Sequence, residues 1–166
     1  MENIDINDEI DEITIGGIHL EQFNDLSVIR VIAENQRMSF LPGSILRRFS
    51  NTQVLTLRNV QLAQISQLSL SNCQNLQNID LRNNLLTTVQ AGVFRNCGNV
   101  QQIQLQSNLI NELHADGFAG LNSLTWIFFE SNRLTSIPAF AFRGLPNLEV
   151  IMLNSNLISS IDVDAF

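Results

Sequence analysis

Two cysteines, two histidines and a front-loaded set of carboxylates are the side chains of this chain that could do chemistry. Cys73 and Cys97 stand 24 residues apart, and thiol chemistry would need Cys97 paired with His114. Thiol chemistry needs an accessible sulfur of lowered pKa. Both cysteines, however, occupy positions held elsewhere by Leu121 and Leu145, so small apolar residues in a core explain them. Buried free thiols are therefore expected, with a bridge between stacked neighbours as the geometrically allowed alternative. His19 and His114 read as ordinary surface or capping residues. No HExxH, CxxC, phosphate-binding glycine loop or nucleophile elbow accompanies them. The expectation is that the chain is not an enzyme and carries no cofactor and no metal.

The carboxylates point the same way. Of the 16 acidic residues, Glu2, Asp5, Asp8, Glu9, Asp11 and Glu12 fall in the first dozen positions, leaving ten acids against nine arginines in the body. A nearly neutral body lacks the basic patch that nucleic acid or an anionic membrane requires. No apolar run approaches membrane-spanning length, and Met1 is not followed by a basic segment leading into one. With 45% hydrophobic residues the chain of 166 can bury a substantial core.

That core is written as a repeat. The stretch 124–148 places apolar residues at Leu124, Ile127, Phe129, Leu134, Ile137, Phe142 and Leu145 with Asn132 in the middle, and it overlays most of the chain at an offset of 24. One such unit cannot bury its apolar face alone; stacking creates the core. Units are expected at 28–51, 52–75, 76–99, 100–123, 124–147 and 148–166, the first two irregular and the last incomplete. An acidic tail (1–8) and an N-terminal cap (9–27) precede them.

The pattern LxxLxLxxNxL followed by xxLxxxxFxxL resembles the leucine-rich repeat family in its 24-residue, Phe-containing form. The resemblance implies an α/β solenoid, a curved horseshoe with a parallel β-sheet on its concave face and an irregular or short-helical convex side. It further implies a protein-binding module of the secreted or receptor kind found in insects, a group that includes innate-immune factors and Toll-type receptors. An extracellular location is expected on that ground, with the cytoplasm as the alternative; two cysteines are fewer than the cysteine-rich caps of secreted relatives, and no Asn-x-Ser/Thr sequon occurs.

Strand alternation places the remaining residues. Asn84, Asn108, Asn132 and Asn156 follow each strand where the chain must turn, and are expected to form a structural amide ladder. Phe94, Phe118, Phe142 and Phe166 form a spine, for which edge-to-face ring contacts are expected. Outward-pointing residues write the concave surface: a polar middle, with Arg58, Arg82 and Gln104, gives way to Trp126, Phe128, Val150 and Met152 beside Glu130. Those eight residues are the candidate partner site. The competing expectation is a structural or scaffolding protein that self-associates, as a homodimer, through the Trp126 patch or the last repeat. Arg58 and Arg82 could grip a partner's carboxylate, but Asp80 between them favours a local ion pair.

Overall fold

The computed structural model describes residues 30–35 and 37–166. The expected tail and cap, with His19, lie outside the described residues. In chain order the elements are β1 (Arg30–Glu34), α1 (Ser44–Arg48), β2 (Val54–Arg58), β3 (Asn78–Asp80), β4 (Thr88–Val89), β5 (Gln102–Gln104), β6 (Glu112–Leu113), β7 (Trp126–Phe128), β8 (Ser136–Ile137), β9 (Val150–Met152) and β10 (Ser160–Ile161).

Six of these strands form one parallel sheet in the order β1-β2-β3-β5-β7-β9. Every pairing is offset by one period, Arg30 against Val54, Val54 against Asn78, Asn78 against Gln102, Gln102 against Trp126 and Trp126 against Val150. A parallel sheet needs a long crossover between neighbours, and each repeat supplies one. The return path is mostly turns. It carries the helix α1 in the first unit and two small parallel pairs, β4 with β6 and β8 with β10.

The core lies between the sheet and this return path. Leu55, Ile79, Ile103 and Ile127 point inward from successive strands, and Leu57, Leu81, Leu105 and Phe129 form the next inward column; all are buried. Phe94 and Phe118 stack at 5.8 Å between ring centroids, and Phe118–Phe142 and Phe142–Phe166 at 5.6 Å. The spine rings lie within 16–27° of parallel, not edge to face as expected. A solenoid copies each ring by near-translation, so orientation is inherited from turn to turn; the edge-on contact comes instead from Phe129 of the strand column, at 89° to Phe118.

Cys73 and Cys97 are joined by a disulfide, with their α-carbons 4.9 Å apart. The expectation of free thiols is therefore corrected. One period in sequence is one strand spacing in space, which brings two residues of the same repeat position to bridging distance.

The turns after β2, β3, β5, β7 and β9 are held by side-chain amides. The Asn84 Oδ1 accepts from the backbone N–H of Val60 (3.0 Å) and Leu62 (3.1 Å), while its Nδ2 donates to the carbonyls of Leu57 (2.7 Å) and Leu81 (2.9 Å). Asn108, Asn132 and Asn156 repeat the arrangement, each reaching the carbonyl 27 residues back and accepting from the N–H 22 residues back. Just before them, Asn83, Ser107, Ser131 and Ser155 sit at φ +56 to +58°, a left-handed turn that small polar residues tolerate. Gly120, at φ +93°, is forced: a Cβ there would stand 2.4 Å from the Arg95 carbonyl oxygen.

A second asparagine column, unanticipated, runs on the return path. The Nδ2 atoms of Asn75, Asn99 and Asn147 donate to the carbonyls of Ser50, Gln74 and Asn122 at 2.9, 2.7 and 2.6 Å. The solenoid is thus pinned by amides on both sides of its core.

Candidate protein-binding face

The surface that could meet a partner is the outward face of the six-stranded sheet, and its two halves differ. On β1–β3 the polar side chains satisfy one another. Arg58 donates to Asp80 from Nε and Nη2, both at 2.6 Å, and to Glu34 at 3.2 Å. Arg82 donates to the same carboxylate from Nε (3.0 Å), Nη2 (2.9 Å) and its backbone N–H (3.2 Å). Asp80 is left 5% exposed although it points away from the core. Burial pushes its carboxyl pKa up, but the hydrogen bonds from Arg82 and Arg58 outweigh burial and hold it below the usual carboxylate range. The Arg58 guanidinium is raised, first by its bond to Asp80.

The sheet parity thus places Thr56 and Asp80 outward, yet both are buried, Asp80 beneath the two arginines that bond it. Arg58 and Arg82 are occupied by a local carboxylate rather than open to a foreign one.

On β7 and β9 the same face is apolar, bordered by the glutamines of β5. Trp126 and Phe128 stack at 5.9 Å with 18° between ring planes. They oppose Gln102 and Gln104 on one side and Val150 and Met152 on the other. Met152 is 39% exposed, and Trp126, Phe128 and Val150 are half-buried. The sheet parity brings all four together as one patch. Glu130 closes it at the strand end, with its Oε2 atom buried and without a hydrogen-bond partner among the described residues; the Gln106 Oε1 on the adjacent turn is in the same state.

His114 lies far from this patch, exposed and 3.7 Å from Glu112, and the disulfide removes Cys97 as a thiol nucleophile. No group of three or more His, Cys, Asp or Glu suited to a metal is found among the described residues. No helix among them is long and apolar enough to cross a membrane.

A family model for the leucine rich repeat matches residues 74–134 and 129–166, more than half of the chain. The chain belongs to the leucine-rich repeat family. Its parallel sheet and amide ladder are how this member closes the repeat. No curated protein sequence matches it significantly. Among solved structures it is similar to the Toll–Spatzle complex of Drosophila, a hub in development and innate immunity, with a TM-score of 0.70 at 19% identity over 83% of this chain. The glycosylated form gives 0.69 at 22% identity over 78%, and the TLR13–ssRNA13 complex 0.64 at 20% over 83%. At such identities the likeness is one of fold. The chain spans about a fifth of the length of the first two structures and 23% of the third. One of these complexes contains RNA, so the similarity lends no support to the expectation of no nucleic acid.

Proposed function

We propose that this leucine-rich repeat chain is a non-catalytic protein-binding module, a segment of an extracellular protein of immune-recognition, receptor or adhesion type that engages its partner through the concave sheet. The observation that carries the reading is the patch of Trp126, Phe128, Val150 and Met152 on a face the core does not use. Rigid aromatic side chains desolvate much area for little lost rotamer freedom, which is what an interface centre requires. Burying the patch is worth about 3–5 kcal/mol by apolar area. The Cys73–Cys97 bridge supports an oxidising compartment, and the fold shared with Toll and TLR13 supports a receptor setting.

The test is selection of binders from a displayed library of extracellular domains on wild type and on Trp126→Ala/Phe128→Ser, with circular dichroism to show that both are folded. Binding should be lost in the variant; a partner that binds both equally sinks the concave reading.

A second reading, self-association in a scaffold, would use the same patch, in which Met152 is 39% exposed. Light scattering over a concentration series separates the two. A dimer that dissociates only in Trp126→Ala would make the patch a self-interface, and a monomer in both variants would leave it free for a partner.

A further inference from the structure

Two carboxylates on the concave sheet have opposite fates. Asp80 is enclosed by two guanidiniums. Glu130 has one oxygen buried with no donor, and among the described residues no cation lies within ion-pair distance of it. The adjacent column residue is Gln106, whose turn is tied to that of Glu130 by the bond from the Ser107 N–H to the Glu130 carbonyl at 2.9 Å. Its Oε1 is also buried and unpaired. Two acceptors on neighbouring turns are therefore each without a donor among the described residues. The next cation along the column, Arg82, is committed to Asp80.

An acceptor removed from water without a donor is a standing cost that a bound donor removes. The cost is greater for a charge, so a cationic donor gains most. Beside these acceptors lie the stacked rings of Trp126 and Phe128, whose faces attract a cation and whose neighbours Val150 and Met152 are apolar. A guanidinium suits the place better than an ammonium. Its planar fork can reach acceptors on two turns about 4.8 Å apart while stacking on an aromatic face.

We infer that Glu130 and Gln106, with Trp126 and Phe128, form the seat for an arginine side chain of a protein partner, carried on a segment whose flanking apolar residues lie on Val150 and Met152. The inference rests on the concave-face reading and names the chemistry of its ligand. The unpaired Glu130 is charge-complementary to such a segment, whereas Arg58, Arg82, Asp80 and Glu34 balance one another within the sheet.

Trp126 is the only tryptophan in the chain, so its fluorescence reports this face alone. Short random peptides would be selected by display on the wild-type chain and counter-selected on Trp126→Ala/Phe128→Ser. The recovered peptides, and copies with arginine replaced by its neutral isostere citrulline, would then be titrated against wild type and Glu130→Gln by Trp126 emission. The expected peptides carry arginine between apolar residues. Citrulline should weaken them roughly 10-fold on wild type and less than about 2-fold on Glu130→Gln, the non-additivity of a direct charge contact. Peptides that shift Trp126 emission equally with lysine, citrulline or an acidic residue would overturn the arginine seat and leave the concave-face reading standing. Recovery of no peptide specific to the intact patch would overturn both.

Discussion

The two halves of the concave sheet are built on one scaffold and finished differently. Across β1–β3 the outward residues brace the protein: Arg58 and Arg82 clamp Asp80, Glu34 joins from the edge strand, and the Cys73–Cys97 bridge ties the return path of the same region. Across β5–β9 nothing comparable is spent on stability. The outward residues are the two glutamines of β5, two stacked rings, a methionine, a valine and a carboxylate without a donor. Beneath them the asparagine ladder runs from Asn84, after β3, through Asn156, after β9; the equivalent position after β2 is Val60. The difference teaches where to look for function in a repeat protein: positions that the period constrains hold the fold, and positions that it leaves free are informative when their polar groups are unsatisfied.

The largest effect is expected where the braced half is stapled. Replacing both bridge residues by alanine, Cys73→Ala with Cys97→Ala, should cost about 3–4 kcal/mol, the loop-closure value for a bridge spanning one repeat. Urea denaturation checks it. A loss below about 1 kcal/mol would show that the amide ladders, not the bridge, hold those turns together.

Next in size are the ladder deletions, which sharpen the comparison because they should not distinguish the halves. Asn84→Ala and Asn132→Ala each strip a buried amide that joins adjacent turns. Each should cost about 2–3 kcal/mol, since backbone groups are left buried and unpaired. Equal midpoint shifts would establish a shared scaffold; a much smaller loss at Asn132 would mean that the open half is also the looser one.

Much of this was legible in the residues before any coordinates. The period of 24 placed the strands, their inward columns and the aromatic patch, because apolar spacing reports which side chains must meet. What escaped was what depends on cover rather than direction. Alternation and spacing gave the local ion pair of Asp80 with Arg58 and Arg82, which forms, but not that the pairing would leave an outward carboxylate buried. The bridge escaped for a related reason: Cys73 and Cys97 fill leucine positions, so packing sufficed to explain them. The second asparagine column, Asn75, Asn99 and Asn147, carries the same 24-residue signal as the first. It lies in a stretch whose polarity reads as solvated loop, which conceals that those amides bond across turns.

A smaller effect belongs to the ion cluster. Asp80→Ala should cost about 1–2 kcal/mol, between the values for buried and surface pairs, because Arg58 and Arg82 keep 40% and 33% of their side chains exposed. Its pH signature has a definite sign. The folded pKa of Asp80 is depressed, so its contribution is complete above the unfolded carboxylate value near ~4 and is lost as pH falls through the lower folded one. Asp80→Asn should therefore be less stable than wild type at neutral pH and lose less on acidification. Parallel stability curves for the two proteins would mean that the clamp contributes nothing.

The smallest effect is the one that defines the open half. Glu130→Gln exchanges a partly desolvated charge for a neutral amide at a site with no cation to lose. Stability should stay within about 0.5 kcal/mol of wild type or rise, because the cost of keeping that oxygen from water falls with its charge. The sign is opposite to that for Asp80→Asn, although both substitutions turn a concave carboxylate into its amide. A loss of about 1 kcal/mol or more in urea would reveal an internal partner for Glu130, and the two halves would then be braced alike. A neutral or positive change, measured on the same protein in which Arg-bearing peptides lose affinity, would place the contribution of that carboxylate in the complex and not in the fold.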